Sequence, residues 1–142
     1  MVTNLDPELT RVWCETLAGE CQSQGIDRGG KPYLTRYFVA GWTPYSRRIA
    51  PALYLHHFHA SDPIDSVHSH PWTWGMSVIL VGGYREIRCE PCSLREYHPG
   101  DVNILTPDVK HRVELLGADC WTLFMAGPYL QPWAFMPSCD PT

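Results

Sequence analysis

Three histidines in this chain have the spacing of metal ligands. His68 and His70 stand two residues apart between apolar runs, and His111 follows one hairpin later. Residues two apart on a β-strand point to the same face, so the first two imidazoles can reach one point. Neutral imidazole is a common ligand of zinc, iron, copper and nickel. The pattern indicates a mononuclear metal site; the alternative is a pair of histidines on a hydrated strand face.

Strands must position these histidines, because short apolar runs separated by turn signals fill most of the chain after Lys31. Short strands at such regular spacing are typical of a β-sandwich or barrel. The predicted strands are Tyr33–Ala40, Ala52–His59, Ser66–His70, Trp74–Val81, Tyr84–Arg88, Leu94–His98, Val102–Leu105, Arg112–Leu116 and Trp121–Met125.

A helix is predicted ahead of the strands. Asp6-Pro7-Glu8 supplies the capping carboxylate, the first-turn proline and the first-turn acid of a helix start. Gly25 is the predicted end, and Asp27–Gly30 is a predicted loop. An apolar stripe at helical spacing should pack against the outside of a sheet, and it consists of Leu9, Val12, Trp13 and Leu17.

Length and composition indicate one domain with an ordinary hydrophobic core. The 142 residues are 44% hydrophobic and 18% charged, with a formal net charge of −4. We divide the chain into an N-terminal helix and loop (1–30), a barrel (31–127) and a C-terminal strap (128–142). The charge balance argues against nucleic acid as a partner, because phosphate binding needs a concentrated basic surface.

The sequence shows no signal peptide and no apolar stretch of membrane-spanning length, which predicts a cytoplasmic protein without a membrane partner. Six cysteines in such a chain are expected to be reduced thiols rather than a disulfide framework. Cys89 and Cys92 form a CxxC, for which we predict a hairpin turn. The alternative is a redox or zinc element.

The histidine motifs resemble those of the cupin superfamily over residues 50–127. In the first cupin motif, His-x-His is followed by Glu and then Gly; here His68, His70 and Gly82 match. In the second, a His stands eleven residues after a Gly, and Gly100 and His111 keep that separation. The departures from the two motifs are Gly75 in the glutamate position, Pro107 one residue late, Asp108 for an inner glycine and Leu115 for the final asparagine.

The resemblance implies an all-β, double-stranded β-helix (jelly-roll) barrel with a short N-terminal helix. It also implies that His68, His70 and His111 bind one divalent metal ion. The surrounding sequence is similar to a compact bacterial and phage-type cupin group with no settled activity. Because cupin barrels commonly pair through their outer sheets, a homodimer is a further expectation.

Gly75 in place of the motif glutamate changes the expected chemistry. Three neutral ligands leave a divalent ion with its full charge, which attracts an anionic substrate such as a carboxylate or thiolate. The missing side chain is also expected to leave room beside the metal. Two outcomes stay open: a ferrous site, as in the thiol dioxygenases of the superfamily, or a zinc site that holds hydroxide. Fe2+ is the leading expectation, with Zn2+, Ni2+ and Mn2+ as alternatives.

Strand alternation assigns further residues to the pocket. His57 and His59 are candidates for a fourth ligand, or for a hydrogen bond to a ligand, if their face of the strand turns inward. Asp65 either orients a ligand imidazole or belongs to a turn. The predicted pocket-lining residues are Trp72, Trp74, Gly75, Ser77 and Trp121.

The sequence does not identify a catalytic residue. Tyr84 and Tyr97 are candidates for a proton donor, with packing as the alternative. Arg85 and Arg88 would bind a carboxylate if they reached the pocket, although surface placement is expected for both.

Three functions remain open at this point. The leading one is an Fe(II) dioxygenase-type oxidoreductase that acts on a small organic molecule. The second is a zinc-dependent hydrolase, lyase or isomerase that uses metal-bound hydroxide. The third is a non-catalytic barrel that binds a sugar or carboxylate in a metal-dependent way.

Overall fold

A computed structural model describes residues 5–41 and 51–139 of the chain. These residues form one helix and eleven strands, which confirms the predicted all-β fold with an N-terminal helix. The elements are α1 (Pro7–Gly19), β1 (Gln22–Arg28), β2 (Lys31–Ala40), β3 (Ala52–Phe58), β4 (Val67–His68), β5 (Gly75–Val81), β6 (Tyr84–Cys89), β7 (Ser93–Tyr97), β8 (Val102–Leu105), β9 (Lys110–Leu115), β10 (Cys120–Ala126) and β11 (Phe135–Met136).

Two antiparallel sheets build the barrel. One has the strand order β1-β2-β3-β10-β5-β8, and the other has the order β11-β4-β9-β6-β7. From β4 to β10 the chain repeatedly crosses from one sheet to the other, as in a jelly roll. The inner faces of both sheets enclose a cavity, and the outer face of the six-stranded sheet carries α1.

The helix begins where the sequence predicts. The Asp6 carboxylate accepts hydrogen bonds of 3.0 Å from the backbone N–H groups of Glu8 and Leu9. The helix ends at Gly19, six residues before the predicted Gly25. With 13 residues, α1 is too short to cross a membrane, and the described part of the chain contains no other helix.

The buried face of α1 differs from the predicted apolar stripe. Its buried residues are Cys14 and Ala18, which pack with Leu55 and Trp121 of the six-stranded sheet. Small side chains allow the helix to approach the sheet closely. The bulkier residues point outward as a result, and the exposed ones are Leu9, Val12 and Trp13.

Strand β1 lies where a helix end and a loop were predicted. It pairs antiparallel with β2 through a turn at Gly29 and Gly30, which have φ of +58° and +76°. The first four residues of β1 are all exposed, so the strand has no alternation of apolar and polar residues. The periodicity that marks a half-buried strand is therefore absent.

Strand pairing and a disulfide are among the contacts that attach the C-terminal strap to the barrel. Its strand β11 pairs with β4, with Phe135 in register with His68. A disulfide joins Cys92 to Cys139, so the expectation that all six cysteines are reduced is wrong for this pair. The partners lie 47 residues apart in the chain, and only the folded strap brings them together. Cys89 keeps a free thiol, and the CxxC forms the predicted turn between β6 and β7.

Candidate metal centre

Strands β4 and β9, which are neighbours in the five-stranded sheet, bring the predicted ligands together. His68 and His111 are direct cross-strand partners, and His70 lies two residues beyond His68. One ring nitrogen from each histidine lies within 4.8 Å of the other two. All three side chains are buried. The barrel interior therefore contains three imidazoles that face one point.

Hydrogen bonds on the far side of two rings orient their Nε2 atoms toward this point. His68 Nδ1 donates to the Ser66 carbonyl at 3.0 Å, and His111 Nδ1 donates to Glu86 Oε1 at 2.6 Å. Each acceptor requires a proton on Nδ1, so the Nε2 lone pair is left for a ligand. The His70 ring is held by stacking on Trp72, with centroids 5.2 Å apart.

The donor set fits a divalent cation. Burial, followed by the charge of His111, lowers the pKa of His68 to about 4, and burial lowers the pKa of His70 well below its usual value. Both rings are therefore neutral at pH 7, as metal ligands must be. His70 Nε2 and His111 Nε2 lie 2.8 Å apart, within hydrogen-bond distance. A cation bound by both nitrogens would replace this contact.

A buried carboxylate behind the histidines was not predicted. Glu86 lies on β6, and its side chain is only 1% exposed. Its Oε1 accepts from His111 and also from Asn103 Nδ2 at 3.0 Å, while Oε2 accepts from Arg88 Nε at 2.8 Å. Although burial acts to raise it, these hydrogen bonds and the neighbouring positive charge lower the pKa of Glu86 to about 2. The ionised carboxylate fixes the His111 ring and increases its basicity.

The cavity in front of the histidines has a volume of about 610 Å3. That volume is in the usual range for a small-molecule site. Aromatic side chains form much of its wall, and two of them, Trp133 and Phe135, come from the C-terminal strap. Trp133 lies 4.9 Å from His70 and 5.6 Å from Trp72, measured between ring centroids. The strap, which we expected only to cover the barrel, therefore forms part of the site.

Two of the five residues predicted to line the pocket do so, namely Trp72 and Ser77. The other three are corrections. Trp74 points away from the cavity and packs against Gly127. Gly75 faces inward, but a Cβ placed there would lie 2.9 Å from Phe124 Cζ, so the Phe124 ring fills the room that we expected beside the metal.

Trp121 is the third correction. It lies in the outer cluster beneath α1, and its ring stacks on His57 with centroids 3.8 Å apart. The cause is the alternation of β10: Thr122 and Phe124 turn inward, so Trp121 turns outward toward the helix.

The alternation of side chains along β3 places His57 and His59 outside the cavity, so they are not candidate ligands. The opposite face of β3, with His56 and Phe58, turns into the cavity. His57 Nε2 instead contacts Asp119 at 2.8 Å, and His59 Nε2 contacts the Thr35 hydroxyl at 2.7 Å. Both histidines have structural partners on the outside of the barrel.

Asp65, which was a candidate for orienting a ligand imidazole, also lies outside the site. It is exposed in the turn before β4. The buried acid of that segment is Asp62, which accepts a hydrogen bond of 2.8 Å from the Val113 N–H and lies 3.6 Å from Arg28. Of the two alternatives for Asp65, the turn is therefore the one that the structure shows.

Of the two tyrosines, Tyr84 lines the cavity and Tyr97 does not. The Tyr84 hydroxyl accepts from Asn103 Nδ2 at 2.9 Å and also has Ser77 as a hydrogen-bonding neighbour. Burial raises the pKa of Tyr84, so the hydroxyl is protonated at neutral pH. Arg85 and Arg88 lie outside this cavity, as expected, and pair with Glu96 and Glu86.

No protein-family model and no curated protein sequence matches the chain. Solved structures do match its fold. The DMSP lyase DddQ from Ruegeria pomeroyi DSS-3 has a TM-score of 0.69 at 16% identity, over 98% of this chain and 73% of that one. HppE in its iron(II) form has a TM-score of 0.59 at 11% identity, over 76% of this chain and 57% of that one.

Oxalate decarboxylase OxdC from Bacillus subtilis has a TM-score of 0.58 at 19% identity. That match covers 80% of this chain but only 30% of the decarboxylase. At these identities the likeness concerns the fold, and all three proteins are built on the cupin barrel. The chain therefore has the cupin fold, with a cluster of three histidines inside its barrel.

Proposed function

We propose that this chain is a mononuclear metal-dependent cupin enzyme that acts on a small organic molecule. The observation that carries the proposal is the convergence of three buried imidazoles on one point at the end of an aromatic-walled cavity. Three protein ligands leave part of a coordination sphere free, as in catalytic rather than structural metal sites. The fold neighbours include an iron(II) protein and a decarboxylase with manganese(II) centres, which supports a divalent metal.

Each part of the cavity has a distinct role in this proposal. Glu86 holds the His111 ring in the orientation that the metal needs, because a wrong tautomer would place a proton on the binding nitrogen. Trp72 and Trp133 pack against His70 and exclude water from the ligand side. Tyr84 holds a proton on the cavity wall and could transfer it to a bound substrate.

The leading form of the proposal is an Fe(II) oxidoreductase that uses dioxygen. Bound ferrous iron would supply the one-electron chemistry that no side chain of the cavity can perform. The aromatic walls suit an organic substrate, and the neutral ligand set leaves positions for both substrate and dioxygen.

The second form is zinc-dependent lyase, hydrolase or isomerase chemistry. Tyr84 is compatible with it, because an elimination or isomerisation moves a proton and this hydroxyl is a proton-bearing group on the cavity wall. The fold likeness to a DMSP lyase agrees with this form. A non-catalytic binding barrel is the remaining alternative.

Metal analysis and oxygen uptake together test these forms. Native protein should contain about one metal ion per chain, and the H68A/H70A/H111A variant should contain none. The matched control is His98→Ala, which removes an exposed histidine whose side chain lies beside Glu96, outside the cavity. Oxygen uptake with ferrous protein over thiol and carboxylate libraries supports the oxidoreductase, and oxygen-independent turnover with zinc supports the second form. Thermal stabilisation by a ligand without turnover would contradict both.

A further inference from the structure

Arg36 is a cavity-lining cation that has no counter-ion in the described part of the chain. It lies on β2, where it is the register partner of His56 on β3, and both side chains face the cavity. Among residues 5–41 and 51–139, Arg36 forms one hydrogen bond, from Nε to His56 Nε2 at 3.1 Å, and no ion pair. A guanidinium carries five N–H donors, so the two Nη groups keep four donors for a ligand.

The other arginines of the described chain differ from Arg36. Five of them pair with an acid: Arg11 with Asp119, Arg28 with Asp62, Arg85 with Glu96, Arg88 with Glu86 and Arg112 with Glu114. Arg95 lies over the ring of Tyr97 on an exposed strand. Arg36 is half-buried, and burial lowers its pKa. Keeping such a charge without an acid is costly, and an anionic ligand would remove the cost.

The surroundings of Arg36 hold its guanidinium in one orientation. The guanidinium carbon lies 5.0 Å from the centroid of the Tyr54 ring. His56 stacks between Tyr54 and Phe124, with centroid distances of 5.7 and 5.1 Å. Burial, followed by the charge of Arg36, lowers the pKa of His56 well below its usual value. His56 is therefore a neutral acceptor that binds the Nε edge and leaves the Nη edge toward the cavity.

The charge balance of the cavity favours a single negative charge on the ligand. Arg28 is already paired with Asp62, and the other acid of the wall, Asp27, is exposed to solvent, so Arg36 is the described cation that is available to an anion on this wall. One guanidinium fork matches one carboxylate in geometry and in charge. A phosphate dianion would need a second cation, and the described wall does not provide one. Arg36 also lies near enough to His70 for its charge to lower the pKa of that histidine.

We propose that the Nη edge of Arg36 binds the carboxylate of the substrate, so that the substrate is a small organic acid that extends from this strand toward the three histidines. This inference rests on the proposed function only for the position of the reacting end of the ligand, which would lie at the three histidines. The carboxylate subsite itself needs no metal.

Calorimetric titration with matched ligand pairs tests the subsite. The probes are propanoate, benzoate and 3-phenylpropanoate, each beside its neutral amide, with inorganic phosphate as a further arm. Zinc-saturated and EDTA-treated protein are titrated in parallel. We expect the wild type to prefer each carboxylate that binds over its amide by roughly 10- to 100-fold, in line with charge-assisted hydrogen bonds. The preference should persist after EDTA treatment.

Three variants locate the effect. Arg36→Gln should abolish the preference for carboxylate, and Arg36→Lys should keep part of it, because lysine retains the charge without the fork. Arg95→Gln is the matched control and should bind as the wild type does. Circular dichroism and thermal melting establish that each variant is folded. A carboxylate preference that survives in folded Arg36→Gln, or tighter binding of phosphate than of any carboxylate, would overturn the inference. If the wild type prefers carboxylates but shows no turnover with any metal, the result would count against the proposed function alone.

Discussion

Replacement of Glu86 by Gln should weaken metal binding without removing any ligand. The carboxylate bridges two positively polarised groups, with Oε1 2.6 Å from His111 Nδ1 and Oε2 2.8 Å from Arg88 Nε. A glutamine has one acceptor oxygen and one donor nitrogen. Either orientation of the amide places N–H groups against one of these two donors, so at least one buried hydrogen bond is lost.

The expected loss of metal affinity follows from the burial of this contact. His111 and Glu86 side chains are 5% and 1% exposed, so water cannot replace the missing acceptor. Loss of a partner behind a ligand histidine typically weakens metal binding 10- to 100-fold, which is about 1.4 to 2.8 kcal/mol. We expect a shift of this size in the dissociation constant for Zn2+. The EDTA-treated variant should also unfold more easily, by about 2 kcal/mol, because Arg88 loses its acid.

Competition with a chromophoric zinc chelator at pH 7.5 measures the first quantity, and urea unfolding of metal-free protein measures the second. Glu96→Gln on the neighbouring strand is the matched control, because it removes an exposed partner of Arg85 and should leave zinc binding unchanged. If folded Glu86→Gln binds zinc within a factor of two of the wild type, the inference that Glu86 supports the ligand His111 is wrong.

Three further predictions concern stability. Gly75→Ala should destabilise the protein by about 1 to 3 kcal/mol in urea unfolding, because the new methyl group would lie 2.9 Å from Phe124 Cζ and the ring must move. Reduction of the Cys92–Cys139 disulfide should cost about 4 kcal/mol, since it releases a 47-residue connection in the unfolded chain. Asp119→Asn should destabilise the protein at pH 7 but not at pH 2. Hydrogen bonding to Arg11 holds the pKa of that carboxyl at about 2, so its stabilisation is complete above pH 4 and disappears as pH falls through 2.

Each of these has a control within the chain. Gly25→Ala adds a methyl group that meets nothing within 4 Å, so a loss of stability equal to that of Gly75→Ala would remove packing as the cause. Cys21→Ser alters a free cysteine and should leave the response to reductant unchanged. Asp27→Asn changes an exposed acid without an ion pair among the described residues; an equal pH dependence in this variant would contradict the assignment to Asp119.

Most of the strands that the sequence predicts correctly have one buried and one solvated face, or both faces buried; β7, which is buried only at Tyr97, is an exception. Val102–Leu105 has the same bounds in the prediction and in the structure because its burial alternates strictly. Strand β1 was not predicted because its side chains are largely exposed and carry no apolar pattern. Its pairing with β2 is made by backbone groups. Strand β11 lies in a proline-rich segment whose pairing with β4 depends on tertiary contacts.

The ligand triad follows from spacing, but its surroundings depend on which face of each strand turns inward. For β3 the sequence left both faces open, since each carries a histidine among apolar residues; the structure selects the face of His56. The sequence contains a signal that could have identified Arg36: it alternates with the apolar Leu34 and Phe38 on one face of β2, which places a charge among core residues. The signal for Glu86 was weaker: it is a single acid on a strand whose residues are mostly buried.

Gly75 and Glu86 together explain how this barrel can lack the usual glutamate and still keep a carboxylate near the metal. A carboxylate ligand would neutralise half the charge of a divalent ion from within its coordination sphere. Glu86 instead acts through the His111 ring, so its charge lies on the far side of the imidazole from the ligand cavity. A cation bound by the three histidines would therefore face the cavity together with Arg36, which has no ion pair among the described residues. Together with the proposed carboxylate subsite, such a field would favour an anionic substrate, whichever reaction the metal supports.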